Sequence, residues 1–144
     1  MSASLLLGLV AASGSSVEPT LVTAEEAARP DAPPDPRRSL FPGPAIHLLS
    51  PTPRDLIRPL TSPVHLKIAF EPTNGASIAS SAVAVRLMKQ PSVDLTSRLG
   101  RSISPAGIDL PIMKLPPGRF PLLISVVDSN GDRRVTIYTL TIAK

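Results

Sequence analysis

The chain has 144 residues, which suits one domain of ordinary size with a tail, and it contains no cysteine. The absence of cysteine excludes a disulfide framework, a thiolate metal site and a cysteine nucleophile. The net charge is +4, the basic residues are spread along the chain, and the only aromatic residues are three Phe and one Tyr. This composition argues against a nucleic-acid interface that stacks bases on aromatic rings, and it predicts a core of Val, Ile and Leu.

The first 24 residues have the pattern of an export signal or an N-terminal anchor. Residues 1–12 read MSASLLLGLVAA, a short apolar run followed by small residues. Signal peptidase could cut after Ala12 or after Ala24, because small or β-branched residues precede both positions. About eight apolar residues are too few for a helix that spans a bilayer, which takes about 20. We therefore expect a periplasmic or extracellular bacterial protein without a transmembrane span; an anchor retained near the membrane is the alternative, since no Lys or Arg precedes the run.

Residues 25–44 have the composition of an arm or linker. Six prolines lie between Pro30 and Pro44. Because proline fixes φ and lacks an amide donor, we predict that neither a helix nor a sheet runs through them. The segment is expected to be extended and semi-rigid. It is either a spacer or an arm that lies along a protein partner, and Leu40 and Phe41 are its candidate partner contacts.

From Ala45 onward, short β-like runs alternate with turn signals such as Asn74-Gly75. The runs are AIHLLSP from Ala45, VHLKIAF over 64–70, SAVAVRLM from Ser81, VDLTSRL over 93–99, ISPAGIDLPI over 103–112, and two long strands over 120–127 and 134–142. The run over 64–70 places Val64, Leu66, Ile68 and Phe70 on one face and His65, Lys67 and Ala69 on the other, which is typical of a half-buried strand. No segment shows a helical period over ten residues. The pattern predicts an all-β fold, an antiparallel β-sandwich of about seven strands.

The layout from Ile46 to Ile142 resembles that of bacterial immunoglobulin-like domains. The motifs that carry the resemblance are Ser50-Pro51 after the opening strand, Phe70-Glu71 at the end of another strand, the corner Leu115–Gly118, and Asp128–Gly131 before the last strand. The resemblance implies an immunoglobulin-like domain over residues 45–144, preceded by the proline-rich arm. It implies no particular activity, because this fold has many functions.

A narrower resemblance is to periplasmic copper-binding proteins of the CopC type, which have a similar layout of strands and corners. That resemblance implies copper ligands that include a histidine at the mature N-terminus and another beside an Asp-Gly turn near the last hairpin. This sequence has Asp132 and Arg133 where the second histidine is expected, and His47 follows a long tail. An alternative function is therefore a periplasmic metal- or small-ligand-binding module that uses His47, His65 and Asp128.

The stretch DSNGD contains residues spaced like calcium ligands. Asp128, Asn130 and Asp132 alternate, but a calcium loop needs glycine at its sixth position and glutamate at its twelfth, where this chain has Arg133 and Thr139. Asn-Gly is also a strong hairpin turn, since both residues tolerate positive φ. We therefore interpret the stretch as a hairpin in which Asp128 accepts hydrogen bonds from the turn amides.

No arrangement in the sequence indicates catalysis, and we predict neither an enzyme nor a cofactor. There is no G-x-S-x-G nucleophile motif and no recognisable order of serine, histidine and acid. The sequence instead favours a non-catalytic accessory or structural subunit that binds protein partners in a larger assembly, through the arm, a sheet edge or both. Its candidate contacts are Leu40 and Phe41 on the arm, and Arg133 and Arg134 at the hairpin.

Overall fold

The computed structural model describes residues 21–32, 43–73 and 75–144, and its regular structure is mostly strand. The strands are β1 (Ala45–Ser50), β2 (Val64–Glu71), β3 (Ile78–Leu87), β4 (Val93–Asp94), β5 (Ile103–Ser104), β6 (Gly107–Met113), β7 (Gly118–Asp128) and β8 (Arg133–Ile142). The α-helices are α1 (Ala24–Ala28) and α2 (Thr96–Leu99), and 3-10 turns cover Asp55–Ile57 and Gly100–Ser102. Within these residues, every helix is too short to cross a membrane.

The strands form two antiparallel sheets of four strands each, with the orders β1-β2-β6-β5 and β4-β3-β7-β8. Buried residues of both sheets belong to one hydrophobic core. This arrangement is compatible with a β-sandwich, and it confirms the all-β antiparallel prediction. The structure has one strand more than expected, because the candidate over 103–112 is divided between the two-residue strand β5 and the longer strand β6.

Strand β2 shows how the pattern of side chains determines the burial. Val64, Leu66, Ile68 and Phe70 are each at most 6 % exposed, while the residues between them face outward or are half-buried. Each buried aliphatic side chain stabilises the fold by about 1.5–3 kcal/mol relative to leaving it in water. The prediction of a half-buried strand over 64–70 is therefore confirmed.

The strand predicted over 93–99 is wrong after Asp94. The Asp94 carboxylate accepts a hydrogen bond from the Thr96 amide at 2.9 Å, which turns the chain and also lowers the pKa of Asp94. The residues that follow form α2, with Leu95 and Leu99 buried one helical turn apart. Leu95 and Leu99 are buried at the two ends of α2. Their spacing in the sequence also fits a strand, which is why the strand was predicted.

A tight turn separates β5 from β6, where a single strand was predicted over 103–112. Gly107 opens β6 at φ 154°, and a Cβ at this position would lie 1.9 Å from the carbonyl oxygen of Ile68. Only glycine allows β6 to approach β2 this closely. The strand pair therefore depends on a glycine in the middle of a run that otherwise looks continuous.

The segment 21–32 is part of the packed fold, although the sequence predicted no helix there. Leu21 and Val22 lie in the core, 8 % and 1 % exposed. The Thr23 hydroxyl accepts from the Glu26 amide at 3.1 Å and the Glu26 carboxylate accepts from the Thr23 amide at 3.0 Å, which is a capping box at the start of α1. The predicted arm over 25–44 is therefore described only at its two ends, and Leu40 and Phe41 lie outside the described residues.

An ion pair holds α1 on the sandwich. The Arg98 guanidinium donates to both carboxylate oxygens of Glu26 at 2.7 and 2.9 Å, and it also donates to the Leu21 carbonyl at 3.0 Å. The hydrogen bonds from Arg98 lower the pKa of Glu26 from its ordinary value of 4.5 to about 2. A bidentate ion pair of this kind is strong because each charged group is also hydrogen-bonded to the other.

Residues 30–32 supply a backbone hydrogen bond that Pro121 of β7 cannot donate to β3. Pro121 has no amide donor, yet it lies within β7, between β3 and β8. Its carbonyl accepts from the Met88 amide at 2.8 Å, but the Met88 carbonyl bonds instead to the Ala32 amide at 2.9 Å. Beside this bond, the buried Lys89 ammonium pairs with Asp31 at 2.6 Å. The N-terminal segment therefore satisfies polar groups that the sheet alone would leave unpaired.

We expect Glu26→Gln to lower the free energy of unfolding at pH 7 by about 2 kcal/mol, because it leaves Arg98 without its carboxylate. The folded pKa of Glu26 is depressed. The stabilisation is therefore present above pH 4.5 in the native protein and is lost as the pH falls towards 2. Urea unfolding across this range should show the loss in the native protein and a flatter profile in the variant. The matched control is Glu25→Gln, since the Glu25 side chain is 79 % exposed; an equal effect of both substitutions would contradict the prediction.

We also expect the fold to require residues 21–23. A variant that starts at Glu25 lacks two core side chains and the helix cap, and should be about 4 kcal/mol less stable than a variant that starts at Leu21. Thermal unfolding followed by circular dichroism measures the difference. Equal melting temperatures for the two variants would show that the segment contributes nothing to the core.

Candidate functional site

The two histidines lie on the outer surface of the sheet β1-β2-β6-β5. His47 Nε2 is 2.9 Å from a Glu71 carboxylate oxygen, and His65 Nε2 is 2.8 Å from an Asp109 carboxylate oxygen. All four side chains are exposed, between 45 % and 68 %. Each imidazole therefore has its own carboxylate on an open surface.

The structure does not bring His47, His65 and Asp128 together. His47 is paired with Ala69 in the sheet, so it lies four residues along the strand from His65, about 13 Å away. Asp128 ends β7 in the other sheet. Among residues 21–32, 43–73 and 75–144, no group of three or more histidine, aspartate or glutamate side chains is arranged to hold a metal ion.

Asp128 organises the turn between β7 and β8. Its Oδ1 accepts from the amides of Asn130 and Asp132 at 2.9 and 3.0 Å, and its own amide donates to the Asp132 carbonyl at 2.9 Å. Gly131 takes φ 82°, in the left-handed region that glycine adopts freely. The predicted hairpin is confirmed, since β7 and β8 pair without a bulge from Gly118–Ile142 to Val127–Arg133.

The two arginines predicted at the hairpin begin strand β8. Arg134 donates from Nε to the Pro44 carbonyl at 3.1 Å and from Nη2 to the Gly43 carbonyl at 3.5 Å. Gly43 packs so closely that a Cβ there would lie 2.8 Å from the carbonyl carbon and oxygen of Arg133. Arg134 therefore attaches the chain that enters β1, and the segment Gly43-Pro44 covers the start of β8.

Strand β8 is a long edge of its sheet. It has ten residues, RRVTIYTLTI, with no proline, glycine or acidic residue. The other edge of this sheet, β4, and the edge β5 of the second sheet have two residues each. At the end of β8, the Leu60 amide donates to the Thr141 carbonyl at 2.7 Å and the Ala143 amide donates to the Leu60 carbonyl at 2.8 Å. Gly43-Pro44 therefore covers the start of β8 and Leu60 covers its end; we call these two segments the covers.

Between the two covers, backbone groups of β8 have no backbone partner among the described residues. Because the Thr141 carbonyl points away from β7 and the pairing has no bulge, the same orientation recurs at Thr139, Ile137 and Val135. The partner of Thr139 in β7 is Pro121, whose carbonyl indeed points to β3. No backbone group of the described residues bonds to these three amides and three carbonyls. We call the stretch 135–139 the open edge.

The side chains of the open edge on its outer face carry no charge. Ile137 is 41 % exposed, and Val135 and Thr139 are half-buried on the same face. A cavity of about 340 Å³ lies beside Ile137, on the side of β7 and β3. Its lining is mixed, with Met88, Pro121, Ala32 and Thr139 next to the Asp31–Arg119 ion pair. An exposed aliphatic side chain next to unpaired backbone groups is typical of a surface that adds a strand.

No family model, curated protein or solved structure matches the chain.

We expect Asp128→Ala to lower the free energy of unfolding by about 2 kcal/mol, because two turn amides lose their acceptor. Asp128→Asn keeps an oxygen at this position and should be less destabilising. Urea unfolding of the two variants measures the difference. Equal losses for Ala and Asn would show that the hydrogen bonds of the turn are not the cause.

Proposed function

We propose that the chain is a non-catalytic, exported, immunoglobulin-like module that binds another protein through the open edge of β8. The observation that carries the proposal is the row of outward backbone groups at Val135, Ile137 and Thr139, which no backbone group in the part of the chain that the structure describes pairs with. Natural proteins usually guard such an edge with charges, proline, bulges or a covering segment. Here both ends are covered and the centre is uncharged, which favours an edge that a partner occupies.

The order of the strands supports the immunoglobulin-like assignment. Labelled A to G with C′, the sheet β1-β2-β6-β5 reads A-B-E-D, and the sheet β4-β3-β7-β8 reads C′-C-F-G. The A-B-E-D sheet and the C-F-G order are those of immunoglobulin domains. The motifs of the resemblance also fall at matching places: Ser50-Pro51 at the end of β1, Phe70-Glu71 at the end of β2, and Asp128–Gly131 at the last hairpin.

Export to the periplasm or the cell exterior is supported by the apolar run over residues 5–12. The packing of the described residues adds a preference between the two cleavage positions. Cleavage after Ala24 would remove Leu21 and Val22 from the core and Thr23 from the helix cap. Cleavage after Ala12 leaves all three in place. We therefore propose a mature N-terminus before Leu21.

The arm remains a second part of the proposed interface. Leu40 and Phe41 lie outside the described residues, so their role stays a prediction. The alternative, a metal- or ligand-binding module, would need His47, His65 and Asp128 to converge, and their positions do not favour it.

We expect Ile137→Lys to abolish recovery of the partner when the tagged protein is purified from its source organism, because a charge at the centre of the open edge opposes strand addition. The matched control is Ile112→Lys, which introduces the same charge at a 65 % exposed isoleucine of β6, in the other sheet. Mass spectrometry of the recovered proteins measures the result. Loss of the partner in both variants, or in neither, would contradict the proposed surface.

A further inference from the structure

We infer that the partner inserts a short extended peptide segment beside β8, with an uncharged centre of about five residues and acidic residues on both flanks. This inference rests on the proposed function and names the kind of partner that the open edge fits. The inserted segment becomes a fifth strand of the sheet β4-β3-β7-β8.

The two covers determine the length of the inserted segment. Leu60 occupies the edge at Thr141 and Ala143, and Gly43-Pro44 lies against the start of β8. The free stretch between them runs from Val135 to Thr139, about 17 Å of extended chain. A longer strand would collide with a cover at one end or the other.

The backbone of the open edge determines the conformation of the partner. Three amides and three carbonyls face outward at every second residue. Only an extended chain presents its own amides and carbonyls at the same interval. The contact is therefore made mainly by the main chain, and the exposed Ile137 favours β-branched apolar side chains on the same face of the added strand.

The positive charge around the open edge determines which residues flank the centre of the inserted segment. Two segments at this edge, residues 54–60 and 133–144, contain five cationic side chains and one carboxylate. Asp31 and Arg119, which also lie near Ile137, form an ion pair and do not change the balance of charge. The cations are Arg54, Arg58, Arg133, Arg134 and Lys144, and the carboxylate is Asp55. The net charge of these two segments is therefore +4, equal to that of the whole chain. Acidic residues on both sides of the inserted segment would be attracted to it.

A second copy of this chain fits the open edge less well than a peptide does. Two β8 strands paired antiparallel around Ile137 would place the Leu60 cover of one copy beside the Gly43-Pro44 cover of the other. Such pairing would also bring together two edges with the same positive charge. A free peptide segment meets neither obstacle.

The experiment uses the mature chain and fluorescein-labelled nine-residue peptides, with binding followed by fluorescence anisotropy at low salt. The probe is Asp-Glu-Val-Thr-Val-Thr-Val-Glu-Asp, and the charge control carries lysines in place of its four acids. We expect the acidic peptide to bind at least about tenfold more tightly than the lysine peptide, with an advantage that shrinks as salt is added. Equal binding of the two peptides would overturn the charge requirement.

Two further peptides test the main-chain contact. N-methyl groups are placed on alternate amides of the central five residues, in the odd set or in the even set. Because only one set faces β8 in an added strand, one of these peptides should lose at least about tenfold in affinity and the other should retain most of it. Equal affinities for the two sets would overturn strand addition. Ile137→Lys should weaken binding of the acidic peptide, and Ile112→Lys should not.

The failure of this inference is distinguishable from the failure of the proposed function. If no peptide binds but Ile137→Lys still loses the native partner, strand addition by an acidic segment is wrong and protein binding at β8 stands. If Ile137→Lys keeps both the peptide and the native partner, the open edge is not the interface. Concentration-dependent dimerisation that Ile137→Lys abolishes would identify a second copy as the occupant and overturn the peptide inference.

Discussion

The antiparallel pairing between β7 and β8 is the constraint on which the rest of the structure depends. It runs without a bulge, and its register is set by the turn in which Asp128 holds two amides. Because side chains alternate along a strand, a slip of one residue would turn Leu140 and Ile142 out of the core and Ile137 into it. The same pairing leaves β8 as an edge, so the stability of the core and the exposure of the candidate interface have one origin.

The N-terminal segment shows that the boundary of the domain is not where the composition changes. Pro121 interrupts the pairing of β3 with β7, and Ala32 supplies the amide that the Met88 carbonyl would otherwise lack. The Glu26–Arg98 pair then holds α1 against the sandwich. A segment that looks like a linker because of its prolines thus contributes polar groups and core side chains. Composition describes the local stiffness of a chain, and packing decides whether it belongs to the domain.

The elements that sequence predicted well are those whose cause is local. The apolar alternation in β2 and the Asn-Gly turn after Asp128 determine the local structure through residues that are neighbours in the sequence. Helices α1 and α2 were missed because both are very short, and α1 is held by Arg98, 72 residues away in the chain. The candidate site shares this difficulty: every strand signal in β8 is visible in the sequence, but its position at an edge follows from the order of the sheet. The hydrogen bond from Arg134 to the Pro44 carbonyl joins residues 90 positions apart, so it too was not visible in the sequence, and the role of Arg134 in partner binding stays a prediction.

The burial of Leu21 and Val22 has a consequence for the time at which the domain can form. These side chains join a core that also needs β7 and β8, which follow all the other described strands in the chain. The backbone hydrogen bond between Leu60 and Thr141 also joins residues that are far apart in the sequence. Folds built from such distant contacts close late, because the ends must meet before either is stabilised. The nascent chain therefore cannot complete this core before β8 has been synthesised, because Leu21, Val22 and Leu60 all depend on residues of the last strands.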